Sequence, residues 1–203
     1  MELLREGTAL LVVDMQNGFL RDDGSIPRIG LDITMCKQAV APCATLIASA
    51  RRAGVPVIYT RYVYRADYAD GGILARHLLP QMMEVGALKA GTWDVEVVEE
   101  LAPAEGEVVI DKNRPSAFYG TPLESILNGF DVERLVVCGV TTNCCVETTV
   151  RDASQRDYQT FVVSDATGEL DPRRHDHALE AMGMLFGDVV TVADVQRAWN
   201  AGG

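Results

Sequence analysis

Histidine is scarce in this chain, three residues in 203, and none of the three suits a metal site. His77 stands alone, and the spacing of His175 and His177 fits neither one helix face nor a standard ligand pair. The five cysteines, at 36, 43, 138, 144 and 145, lack C-x-x-C spacing and the density of a secreted disulfide scaffold, so reduced thiols are expected. Positive charge is in deficit: 18 Lys and Arg against 29 Asp and Glu give a net charge of −11, which disfavours nucleic acid and anionic membrane as partners. No apolar run reaches the roughly 18 residues of a membrane span, and Met1–Val13 has no basic stretch ahead of a sustained hydrophobic core. The expected location is the cytoplasm. The glycine-rich phosphate loop of a nucleotide-binding domain is also missing after the first apolar run, where Asp14-Met15-Gln16-Asn17 stands instead.

What is present is a chain 48% hydrophobic, enough for one compact domain over residues 1–203. Short β-branched runs recur along it. Thr8–Val13, Val55–Tyr59, Glu107–Ile110, Arg134–Cys138, Gln159–Val163 and Asp188–Val192 read as six strands, most of them continuously apolar, as in a parallel sheet covered on both faces. Leu31–Ala53, Asn143–Arg156 and Arg173–Phe186 have helical length and patterning. The alternation predicts an α/β three-layer fold with a doubly wound sheet. Arg61–Thr92 has no clear strand and reads as an excursion, either a lid or an oligomer contact.

In such sheets the ligand crevice lies beyond the carboxyl ends of the strands. Asp14 follows the first strand and Lys112 the third. Taken singly they are a turn former and a solvated lysine as readily as catalytic groups. The fourth strand leads into Gly139-Val140-Thr141-Thr142-Asn143-Cys144-Cys145-Val146-Glu147, with a helix start near Thr142 or Asn143. Both Cys144 and Cys145 fall in its first turn, where unpaired amides and the helix dipole favour a thiolate. Adjacent helical residues point about 100° apart, so one of the two faces the crevice, and the residues alone do not say which. A thiol, a carboxylate and a cation at three strand ends suffice for acyl transfer, with helix-start amides as an oxyanion hole. Gln16, Asn17 and Phe19 after the acid, with Arg61, Trp93, Tyr119 and Val140, are the candidate substrate-binding residues. Glu147 suits the helix dipole alone. The remaining cysteines read as core.

Three strings in order, Leu10–Asn17, Asp111–Thr121 and Gly139–Asp152, resemble the isochorismatase-like hydrolases across nearly the whole chain. The family's Gly-x-x-Thr-x-x-Cys-Val pattern makes Cys145 the implied nucleophile, with Asp14 and Lys112 as its partners. The resemblance further implies a six-stranded parallel sheet in Rossmann-like order, a cis peptide between Val140 and Thr141, and an oxyanion hole from the Thr141 and Cys145 amides. Lys89–Trp93, the Phe118–Thr121 block and Thr142–Glu147 look most like ureidoacrylate, biuret and triuret amidohydrolases. Pro115 and Cys144 depart from those relatives. Thr60–Tyr64 lacks the Asp-x-His of zinc-dependent nicotinamidases, so no metal and no cofactor are expected. A small amide or ureide is the expected partner, and a homo-oligomer, dimer or tetramer, the expected assembly. The alternatives are a nicotinamide-like or N-carbamoyl amino acid amidase using the same triad, and a thiol redox sensor built on Cys144 and Cys145.

Overall fold

The computed structural model describes residues 1–200. Its six strands are β1 (Thr8–Val13), β2 (Val57–Tyr62), β3 (Val108–Lys112), β4 (Arg134–Val140), β5 (Gln159–Gly168) and β6 (Asp188–Val190). All neighbours pair in parallel in the order β3-β2-β1-β4-β5-β6. Every residue of β1 is buried, because strands flank it and helices cover both its faces. Val40–Ala53 and Val192–Asn200 pack together on one side, Glu147–Ser154 and Pro172–Leu185 on the other. Each fully buried Val or Leu in this sandwich contributes about 1.5–3 kcal/mol. Among the described residues, no helix is long and apolar enough to cross a membrane.

The element ends differ from the sequence expectation for local reasons. Gly54, at φ +70°, closes the Val40–Ala53 helix, so the β2 ladder begins at Val57 and runs on to Tyr62. The expected Leu31–Ala53 helix is two, Thr34–Gln38 and Val40–Ala53, with Pro42 in the first turn of the second. Pro42 has no N–H for the Gln38 carbonyl, so the bond that would continue the helix cannot form. Asn143–Arg156 is a wide turn, Thr142–Val146, followed by the Glu147–Ser154 helix. Leu123–Gly129 and Val192–Asn200 are further helices. The 61–92 excursion holds a π-type turn, Leu74–Leu78, and a short helix, Gln81–Glu84.

The strand order places the functional edge. From β1 the chain winds outward through β2 to β3, then crosses back to lay β4 on the other side of β1. Connections leaving β1 and β4 therefore diverge, and a crevice opens between their carboxyl ends. Asp14 and Thr141 are the residues that leave those two strands.

Burial on this scaffold has a consequence for stability. Cys36 lies so close to the end of β5 that a Cβ on Gly168 would sit 2.6 Å from the Cys36 Cα. Burial pushes the Cys36 thiol from its ordinary 9.0 up to about 12. Below pH 9 the thiol is protonated whether the chain is folded or not; between 9 and 12 the unfolded chain ionises while the folded one holds its proton. Stability present at neutral pH is then lost as pH rises. Melting temperature should be flat to about pH 8.5 and fall by about 5–10 °C by pH 11, and Cys36→Val should make that fall shallower.

Candidate active site

Asp14 leaves β1 at φ +51°, in the left-handed region that Asp tolerates better than most side chains. Its amide stays on the Thr60 carbonyl at 3.1 Å, and the Thr60 hydroxyl donates to Oδ1 at 2.7 Å. Oδ2 meets the Lys112 Nζ at 2.6 Å, with both side chains fully buried. Lys112, at the end of β3 and in register with Tyr62 of β2, also donates to the Arg114 carbonyl at 3.1 Å and lies 4.3 Å from the Tyr62 ring centroid. Burial works against the ammonium, but attraction to Asp14 and to Cys145 more than offsets it and holds the pKa above the ordinary 10.5. Lys112 is therefore a fixed cation at neutral pH. Removing one member of such a pair would leave a buried charge, at a cost of about 3–5 kcal/mol.

At the other side of the crevice, β4 ends in a cis Val140–Thr141 peptide. The turn that follows is wide, with the Val146 amide and the Cys144 amide both reaching the Thr141 carbonyl at 3.2 Å. Cys145 is buried and Cys144 is half-buried, and both line one cavity of about 340 Å³. The neighbouring Cys144 thiol and burial hold the Cys145 thiol well above its ordinary value, while Lys112 pulls it down. At neutral pH the group therefore rests as a neutral thiol. Phe19, Ile26, Ile29, Leu31, Leu74, Leu79, Met82 and Leu88 give the cavity apolar walls, and Thr141, Asn143, Glu169 and Arg174 supply polar groups.

The structure thus gathers Asp14, Lys112 and Cys145 at one crevice, with Thr141 and Phe19 on the cavity wall. The other substrate-binding candidates are placed elsewhere. Gln16 is fully buried, donating to the Tyr62 and Val95 carbonyls at 3.0 and 3.1 Å and accepting from the Tyr62 amide at 2.6 Å. Asn17 donates to the Trp93 carbonyl at 2.9 Å, and the Trp93 side chain is exposed. Both residues tie the β1 exit to the 93–98 loop. Arg61 forms a two-pronged pair with Asp111 at 2.7 and 3.0 Å, outside the cavity. Tyr119 is exposed and lines a separate hollow with Arg65 and Asp70. Val140 is wholly buried before the cis bond.

The two charged residues of the cavity wall, Glu169 and Arg174, are not among the sequence candidates. Their signal is position: β5 runs to Gly168, five residues past its apolar run, so both follow a strand's carboxyl end. The 61–92 excursion contributes Leu74, Leu79, Met82 and Leu88 to the cavity wall, while Ile73 and Leu78 point outward. Among the described residues, Arg174 is the one Lys or Arg side chain on that wall.

Comparison with known proteins agrees with this architecture. The Isochorismatase domain model matches residues 8–194. Ureidoacrylate amidohydrolase RutB of Azorhizobium caulinodans is 36% identical over 96% of this chain and 91% of its own length. A cysteine hydrolase from Pseudomonas syringae pv. phaseolicola superposes with a TM-score of 0.91 at 32% identity, over 100% of this chain and 97% of that one. N-carbamoylsarcosine amidase from Thermoplasma acidophilum does so with a TM-score of 0.72 at 28% identity, over 95% and 97%. The chain belongs to the isochorismatase family of hydrolases.

Proposed function

We propose that the chain is a cysteine amidohydrolase that cleaves a C–N bond of a small ureido compound bearing a carboxylate. The observation that carries this reading is a single ammonium, Lys112, facing both the Asp14 carboxylate and the Cys145 thiol. Asp14 takes the Cys145 proton as sulfur adds to the carbonyl carbon, and the oxyanion is held by the Thr141 and Cys145 amides. Asp14 returns that proton to the leaving nitrogen as the C–N bond breaks, leaving a thioester-type intermediate on sulfur. The same carboxylate then deprotonates water, which adds to the carbon, and the C–S bond breaks with the proton passing back to sulfur. Lys112 stays cationic throughout, and its 2.6 Å contact with Oδ2 holds the Asp14 carboxyl group in place.

For the substrate, the support is Arg174, the one Lys or Arg side chain on the cavity wall among the described residues, together with relatives named for ureidoacrylate and N-carbamoylsarcosine, both ureido carboxylates. Ammonia release should be measured on ureidoacrylate, N-carbamoyl amino acids, biuret, triuret and nicotinamide, without added metal. The carboxylate ureides should be turned over best, and Arg174→Gln should raise their KM about 10- to 100-fold, the loss of one charge-assisted contact. Any neutral substrate should change by less than about twofold. Preference for biuret or nicotinamide over the carboxylates would overturn this substrate class.

A further inference from the structure

Thr141 caps the turn that carries Cys145 but makes no side-chain bond to it, so the first amides of the turn need acceptors from elsewhere. The Thr141 carbonyl takes those of Cys144 and Val146. The amide of Asn143 donates to Glu169 Oε2 at 2.8 Å, and the other Glu169 oxygen accepts the Leu170 amide at 2.9 Å. Glu169 is 1% exposed, and Arg174 Nε stands 3.9 Å away, beyond hydrogen-bond distance. Each of its two buried oxygens is taken up by a backbone amide, and amide bonds to a carboxyl group are among the stronger hydrogen bonds in proteins.

The anchor behind Glu169 is rigid. It follows Gly168, the last residue of β5, where an added Cβ would lie 2.6 Å from the Cys36 Cα and 2.8 Å from the Met35 carbonyl oxygen. A second tie runs in parallel, since the Thr142 hydroxyl donates to the Gly168 carbonyl at 3.0 Å. The hydroxyl has one proton, so His175 Nδ1, at 2.9 Å from the same oxygen, must be the donor there.

We propose that Glu169 is a positioning residue: a helix cap supplied by the neighbouring strand, which holds the Asn143 amide and so fixes the Cys145 turn against the end of β5. Neither of the amides assigned to the oxyanion, Thr141 and Cys145, is among those that Glu169 and the Thr141 carbonyl take up. The inference rests on Cys145 being the nucleophile.

The test compares wild type, Glu169→Ala and Glu169→Gln by steady-state kinetics and by the rate at which iodoacetamide alkylates Cys145, located by fragment mass spectrometry. Glu169→Ala should lose about 100-fold in kcat with KM within about threefold, the cost of a displacement near 1 Å at the reacting atoms, and alkylation should slow with it. Glu169→Gln keeps an oxygen for Asn143 and should recover to within about tenfold of wild type. If Glu169→Ala does not fold, Glu169→Asp takes its place, keeping the charge while withdrawing the oxygen, and the same loss is expected. Wild-type kcat and alkylation in the Ala or Asp variant would overturn the proposal, as would a Gln variant no better than they are. Alkylation needs no substrate, so a wild type that turns over no ureide would count against the function and leave this test standing.

Discussion

Cys145→Ala should reduce ureide turnover to background, a fall of at least about 10⁴-fold in kcat, while the melting temperature shifts by no more than about 2–4 °C. The size follows from the proposed covalent route: without sulfur no intermediate forms, and Asp14 has no thiol to deprotonate. The fold should survive because alanine fills most of the space of a small buried thiol and no backbone bond is lost. Cys144→Ala is the matched control. It lines the same cavity from the adjacent position, is half-buried, and should stay within about tenfold of wild type, since its thiol contributes only a neighbouring hydrogen bond. The contrast also separates hydrolysis from thiol sensing, which needs both sulfurs. Activity is read by ammonia release and folding by thermal melts; a Cys145→Ala enzyme that still turns over would remove the nucleophile assignment altogether.

The parts of this arrangement that the sequence made legible are those written in local pattern. Continuous β-branched runs mark buried parallel strands, so Asp14, Lys112 and the Gly139–Val146 stretch could be placed at strand ends. What stayed hidden depends on contacts distant in sequence. The tail of β5, Ser164–Gly168, is polar and small because its side chains bond neighbouring backbone: Ser164 donates to the Val190 carbonyl and Asp165 accepts the Val192 amide. A strand ending at Val163 leaves Glu169 in an apparent loop, and Arg174, in the first turn of the expected Arg173–Phe186 helix, carries no local mark of facing the cavity. Gln16 and Asn17 failed in the opposite sense. They neighbour Asp14 in sequence, but its left-handed backbone turns the chain away, and their amides serve β2 and the 93–98 loop. The cavity's apolar walls come partly from 61–92, where no periodicity announces which leucines face inward.

Gly139→Ala should cost about 3–6 kcal/mol, the sum of overpacking and left-handed strain, lowering the melting temperature by about 6–20 °C or preventing soluble expression. Gly139 has φ +114°, where side chains are strained, and a Cβ there would lie 2.1 Å from the Val13 carbonyl oxygen and 2.7 Å from its nitrogen. Those atoms are backbone of the central strand and cannot swing aside as a side-chain tip could. Gly139 pairs in register with Val13, the residue before Asp14, and a shift in the β4–β5 ladder falls between Val137 and Gly139. The missing side chain therefore lets the two strand exits approach, one carrying the carboxylate and the other the Cys145 turn. Gly106→Ala is the control: its φ is +87° and nothing lies within 4 Å of the added Cβ, so only the strain remains, about 1–2 kcal/mol. If the two variants melt alike, close approach at Gly139 is not what the residue provides. If Gly139→Ala folds, its kcat should fall far more than that of Gly106→Ala, because separating β1 from β4 lengthens the path of the proton between Cys145 and Asp14.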